Sequence, residues 1–198
     1  MAKQHVRIGD CAEVLPGYSV KGRVEHDPRG RYQIIQGKHL TEGVPYRYQE
    51  QDKLRIDTDR PVENYLVQVG DVLFASRGLS NYAVCLEDVP ESTIAPATFY
   101  ILRPKQGTDA HYLAWCLNQA PVQAAIAQTR TGAATPIIQR NALADVSIPL
   151  PLIEEQQRIA RLAELMGRER QLLQQLQHET ERYHNLLGRK ILAKAPDQ

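Results

Sequence analysis

The stretch Ile148-Pro-Leu-Pro-Leu-Ile-Glu-Glu-Gln-Gln-Arg-Ile-Ala-Arg-Leu162 changes character in its middle. Pro149 and Pro151 fix φ and bias the residue before each away from the helical region, so no helix runs through them. Glu154 and Glu155 follow at once, where a first helical turn exposes N–H groups and favours carboxylates. The reading is a rigid extended segment that delivers the chain into a helix with a sharp start. The rest of the sequence falls on either side of this boundary.

Downstream, 154–192 contains no proline, and glycine only at Gly167 and Gly188. Apolar residues recur at Ile159, Leu162, Met166, Leu173, Leu176, Tyr183 and Leu187, spacings of three, four and seven that keep one seam on one helical face. Glu169 and Thr180 interrupt the seam, and Leu165, Leu172 and Leu186 widen it. One helix of this length would reach about 58 Å, more than a domain of ordinary size can cover. Part of the stripe therefore needs a partner. Two helices folded back at Gly167 are the alternative. The final residues, 193–198, read as a disordered tail.

Upstream, residues 1–110 read as short strands separated by turn residues. The candidates are Val14-Leu15 before Pro16-Gly17, Tyr32–Ile35, Tyr65–Val69 and Val72–Ala75 around Gly70-Asp71, Tyr82–Leu86 and Ala97–Leu102. The Gly70-Asp71 pair suggests a hairpin or a tight corner. The period then changes. Asp109 is a fitting N-cap for a helix through Leu117, and Pro121 fits the first turn of another reaching about Gln128. Thr129–Pro136 is a loop by composition, followed by a helical turn at Gln139–Ala144 and a short strand at Val146–Ile148. The expected fold is α+β: a β-rich domain with a few helices over 1–150, then a long helix over 151–192 that forms a coiled coil.

With 198 residues, 24 Lys and Arg against 23 acids give a net charge of +1. A basic surface must therefore come from arrangement in space rather than from composition. The three cysteines, Cys11, Cys85 and Cys116, form no CxxC and fit a reduced protein. The beginning MAKQHVRIGD lacks the apolar core of a signal peptide, and no apolar run suits a membrane span. A cytoplasmic location is expected, with no membrane contact.

No catalytic constellation is legible. GxxxxGK[ST], GxGxxG and HExxH are all missing. His178 and His184 are six apart on the helix, too far round to share a metal, and read as surface residues. Glu50, Asp52, Asp57 and Asp59 with Lys53, Arg55 and Arg60 read as a solvated charged loop. No cofactor and no metal are expected. Two loops suit binding instead. In Ser76-Arg77-Gly78-Leu79-Ser80-Asn81-Tyr82, a strand end delivers an arginine that can fork onto a phosphate or a guanine edge, and an asparagine that can pair with adenine. In Arg130-Thr131-Gly132-Ala133-Ala134-Thr135, small residues and hydroxyls suit close contact with a phosphate backbone. Arg140 is a further candidate.

Four segments, VRIGDCAEV, VGDVLFASRG, HYLAWCLN with TGAATPIIQRNAL, and IPLPLIEEQQRIARL, together resemble the specificity subunit of type I restriction-modification enzymes, across essentially the whole chain. The resemblance implies a target recognition domain on a long helix, sequence-specific binding of double-stranded DNA, and no catalysis of its own. It also implies partner modification subunits that methylate adenine and a restriction subunit. A typical specificity subunit carries two recognition domains and two long helices, whereas this sequence shows one of each. The expectation is a half-size subunit that homodimerises through its helix, the helices antiparallel, and reads a palindromic, interrupted target. A protein–protein adaptor, or a remnant recognition domain of another defence system, without DNA binding is the alternative.

Overall fold

The computed structural model describes residues 5–20, 22, 24–78, 80–132 and 136–193. Among the described residues, twelve strands and five α-helices follow one another: β1 (His5–Arg7), α1 (Ile8–Cys11), β2 (Ala12–Pro16), β3 (Tyr32–Ile34), β4 (Tyr46–Arg47), β5 (Arg55–Ile56), β6 (Val72–Ala75), β7 (Ala83–Asp88), β8 (Thr93–Ile94), β9 (Phe99–Pro104), α2 (Ala110–Leu117), α3 (Ala120–Ala127), β10 (Arg130–Thr131), β11 (Ile137–Ile138), α4 (Arg140–Asp145), β12 (Ser147–Pro149) and α5 (Ile153–Ala193). This is the expected α+β arrangement, a β-rich body followed by one long helix.

The main sheet has the order β2-β9-β6-β7-β4, antiparallel except where β4 joins β7. It is an open sheet. A smaller sheet, β5-β3-β8, packs around Tyr18, Ile34, Ile56, Val62 and Ile94. Strand β6 is apolar and buried at every position because both faces of the sheet are covered there. In β6, Val72 and Phe74 point to the helical side, towards Tyr112, Leu113 and Leu117. Leu73 and Ala75 point the other way, towards Ile35, Phe99 and Ile101. Strand β7 repeats this alternation, with Ala83 and Cys85 on the helical side and Val84 and Leu86 opposite.

The expected strand at Tyr65–Val69 does not form. A 3-10 turn occupies Glu63–Tyr65, and Leu66 makes only an isolated bridge to Ile94. The reason lies at the Gly70-Asp71 pair, which makes a corner instead of a hairpin. Gly70 has φ +88°. The fully buried Asp71 carboxylate accepts from the Gln68 N–H at 3.0 Å and from Arg103 Nε and Nη2 at 2.9 and 2.8 Å. The charged-loop reading also needs amending at one residue. Glu50 pairs with Lys53 and Asp57 with Arg31 at the surface, but Asp52 is buried and accepts from Tyr46 Oη at 3.2 Å.

The helical half follows the sequence closely. Asp109 caps α2 by accepting from the Tyr112 N–H at 2.8 Å, and Pro121 lies in the first turn of α3. Strand β12 pairs with β1, so the segment before α5 is held as part of the domain. Tyr112 Oη donates to the Pro149 carbonyl at 2.6 Å. Gln156, fully buried, then latches the first turn of α5. Its side-chain N–H groups donate to the carbonyls of Gly107 and Pro151 at 2.9 and 2.7 Å, and its oxygen accepts from the Asp109 N–H at 2.9 Å.

Helix α5 is continuous over 41 residues, about 60 Å, so Gly167 is not a break. A Cβ there would come within 3.1 Å of the Gly43 carbonyl oxygen, so this glycine serves close approach of the helix to the 41–45 turn. Ile159 was expected at a partner-facing seam; it packs partly against the domain's own core, together with Ala160. The helix must cover the open side of α2 before it leaves the domain. From Leu162 onwards the seam is exposed: Leu162, Met166, Leu173, Leu176, Tyr183 and Leu187 all lie open, as do Leu165, Leu172 and Leu186. Of the expected tail, Ala193 is the last helical residue and 194–198 lie outside the described residues.

A candidate nucleic-acid interface

The two binding loops, read separately from the sequence, form one structure. The chain leaving β6 runs beside β11. Arg77 and Ile137 form an antiparallel bridge, the Ile138 N–H donates to the Ser76 carbonyl at 3.0 Å, and the Gly78 N–H donates to the Pro136 carbonyl at 2.9 Å. On its other side β11 pairs with β10, so Arg130 lies opposite Ile138 and Thr131 opposite Ile137. Thr131 Oγ1 also donates to the Ile137 carbonyl at 3.2 Å. The second segment is thus a clasped hairpin rather than a plain connection between helices.

Side chains lock this junction from beneath. Ser76 is 2 % exposed, and both its N–H and its hydroxyl donate to the Thr98 carbonyl, at 2.9 and 3.0 Å. Asn81 is 5 % exposed; its amide N–H donates to the Ala75 carbonyl at 2.8 Å, and its amide oxygen accepts from Arg130 Nε at 2.9 Å. Ser76 and Asn81 were expected to face a ligand. Both are instead buried and hydrogen-bonded within the fold, as buried polar groups must be. Tyr82 is half-buried, edge-on to Phe99 with ring centroids 6.4 Å apart, and burial raises its phenol above the ordinary range.

Above this base the remaining candidates are at the surface. Arg77, Thr131, Gly132 and Arg140 are exposed and Arg130 is half-exposed. Gly78 and Gly132 have φ of +92° and +90°, conformations that favour glycine at both turns. Thr135, with Leu79, Ala133 and Ala134, lies outside the described residues.

Tyr100 is the residue that sequence reasoning missed. Its hydroxyl donates to the Ile138 carbonyl at 2.8 Å. Burial pushes its phenol up, while the positive charges of Arg77 and Arg140 oppose that shift. Both arginines therefore act on one point, although they are far apart in sequence. Its position on β9, next to the apolar Phe99 and Ile101, gave it the look of an ordinary strand tyrosine.

Three arginines thus rise from a junction of two loops and the start of α4. Guanidinium groups suit forked hydrogen bonds to phosphate oxygens or to guanine O6 and N7. Glycines beside them let a backbone come close.

The family model of the type I restriction modification DNA specificity domain matches residues 2–182. The chain belongs to this family. No curated protein matches it. Among solved structures, a chain from a study of complex assembly and conformational transition of the type I R-M system superposes with a TM-score of 0.74 at 22 % identity, covering 97 % of this chain and 45 % of that one. The HsdS subunit from Thermoanaerobacter tengcongensis gives 0.64 at 22 % identity, covering 97 % and 44 %. The type I restriction-modification S subunit from M. genitalium gives 0.61 at 14 % identity, covering 97 % and 46 %. This specificity domain therefore has the fold of these three chains and spans less than half the length of each. Among its described residues, no helix is long and apolar enough to cross a membrane.

Proposed function

We propose that this chain is a half-size specificity subunit of a type I restriction-modification system. Residues 1–150 read double-stranded DNA, and residues 151–192 form a spacer that joins two copies. The observation that carries the reading is the junction of the two loops, which gathers Arg77, Arg130 and Arg140 on one edge although the net charge of the chain is only +1. The dimer reads a palindromic, interrupted target and presents it to modification and restriction subunits, itself contributing no chemical step.

The test is a binding titration of the purified chain on a pool of random duplexes at several salt concentrations. The expected result is enrichment of inverted half-sites, with affinity falling linearly in log[salt] as bound counterions are released. Binding that is absent at low salt would favour the adaptor reading, in which the exposed stripe of α5 serves another protein. Enrichment of an asymmetric or contiguous target would defeat the symmetric dimer.

A further inference from the structure

A cavity of about 440 Å³ lies where α5 passes the β4 edge of the main sheet. The domain supplies Tyr46 and Arg47 of β4, with His39 and Asp52 from the turns before and after that strand. Helix α5 supplies Glu164 and Arg168 on the other side. None of these residues belongs to the arginine-bearing edge.

Asp52 is 8 % exposed, and its two oxygens are served unequally. Oδ2 accepts from Tyr46 Oη at 3.2 Å and from the Gln49 N–H at 3.4 Å. Among the described residues no protein group donates to Oδ1, and the ion-pair partner that comes nearest, His39 Nε2, stands 3.8 Å away, beyond hydrogen-bond reach. His39 is poorly placed to be the counter-ion. A second ring proton would sit on Nδ1, which is buried and has no partner among the described residues.

The remaining charges do not supply one either. Arg47 is hydrogen-bonded to Glu87 and lies in the field of Glu164 as well. Arg168 stands four residues after Glu164, on the same helix face. Two arginines and three carboxylates line the cavity, so one negative charge is left over. Asp52 is the most buried of the three carboxylates, and a buried charge without a partner is costly.

We infer that this cavity binds a primary alkylammonium group, with Asp52 Oδ1 as its anchor. The wall selects the chemistry. Among the described residues no three His, Cys, Asp or Glu side chains are grouped to hold a metal ion. A guanidinium forks onto both oxygens of a carboxylate, whereas here Oδ2 is already taken. An ammonium is a compact point charge that needs only one oxygen. Val44 and Pro45 give its alkyl chain an apolar wall. The group arrives on a free diamine or at the tip of a lysine of another protein. Either one bridges the domain and α5, because Asp52 belongs to the first and Glu164 to the second. The inference does not depend on the DNA reading.

The test is a calorimetric titration of the full chain at fixed ionic strength. The probes are putrescine, Nα-acetyl-lysine amide, and tetramethylammonium, which carries the charge without an N–H. Saturable single-site binding of an amine is expected, with none of tetramethylammonium, and the tighter amine identifies the source. Asp52→Asn should weaken binding by about tenfold or more, because it removes the buried charge that the ammonium pairs with. Arg168→Gln, at an exposed position, should tighten it about twofold by removing a competing cation. Failure of both amines to saturate, equal binding of tetramethylammonium, or full affinity in Asp52→Asn overturns the inference and leaves the specificity reading intact. Should Asp52→Asn fail to fold, unchanged or weaker binding by Arg168→Gln overturns it instead.

Discussion

Asn81 and Arg130 are joined by a 2.9 Å hydrogen bond from the guanidinium Nε to the amide oxygen, across 49 residues of sequence. The same asparagine donates to the Ala75 carbonyl. One buried side chain therefore fixes both the strand end that presents Arg77 and the hairpin that presents Arg130. Asn81→Ala should destabilise the domain by about 1–3 kcal/mol, because it strands the Ala75 carbonyl and the Arg130 N–H. It should weaken DNA binding even under conditions where the variant stays folded. A thermal melt and a binding titration on the same sample check both; full affinity in a destabilised protein would separate Asn81 from the interface.

Arg77 and Arg140 are exposed, so their removal should leave the melting temperature unchanged. Arg77→Ala should cost about 1–3 kcal/mol of binding if its guanidinium reads a base edge, with relaxed sequence preference. If it grips a phosphate, affinity should fall evenly across sequences and the salt slope should shrink by about one. Selection of targets with the variant at two salt concentrations distinguishes the two. Arg140→Ala is expected to behave as a phosphate contact, since Arg140 stands at the start of α4, beside the strand end rather than on it.

Gln156 couples the domain to α5 through three hydrogen bonds from a fully buried side chain. Gln156→Leu keeps the volume but leaves the Gly107 and Pro151 carbonyls and the Asp109 N–H without that partner. A loss of about 1–3 kcal/mol is expected. Amide exchange should also rise around Asp109 and in the first turns of α5. Unchanged protection there would show that strand β12 and Ile159 hold the junction without the latch.

Burial raises the thiols of Cys11 and Cys116 to about 11 and that of Cys85 to about 12, and raises the phenols of Tyr46 and Tyr112 as well. An acid whose folded pKa lies above its unfolded value keeps its proton longer in the folded state. Stability is then unaffected by these groups below about pH 9 and falls as pH rises from there towards 11–12, because only the unfolded chain ionises. Denaturant midpoints measured from pH 7 to 11 should decline across that window. In the native protein at pH 8, all three thiols should resist alkylation.

Spacing supplies the last prediction. Inserting one heptad into α5 between Leu173 and Leu176 lengthens the paired rod by about 10 Å. The preferred gap between half-sites should grow by about three base pairs at roughly 3.4 Å each. Target selection with the lengthened chain reads this directly, and an unchanged gap would show that the helices do not set it.

Much of this protein was legible in its sequence because the signals are local. The prolines at 149 and 151, the glutamates at 154 and 155, the cap at Asp109 and the 3.6-residue period are all written within a few neighbouring residues, and each acts through backbone geometry that needs no distant partner. The seam of α5 and the arginines of the two loops could be read the same way. What the tertiary structure decided is which residues face inward. Ser76 and Asn81 look like ligand contacts in a string of letters and prove to be buried props, Ile159 turns to its own domain, and Tyr100 joins the site from a strand. Their roles depend on burial, and burial depends on chain segments brought together from 30 to 50 positions away, as with Tyr100 and Ile138, or Asn81 and Arg130. The sequence by itself determined a β-rich domain feeding a long helix with an apolar seam; folding alone decided that two unrelated loops become one arginine-bearing edge, because only packing can place them side by side.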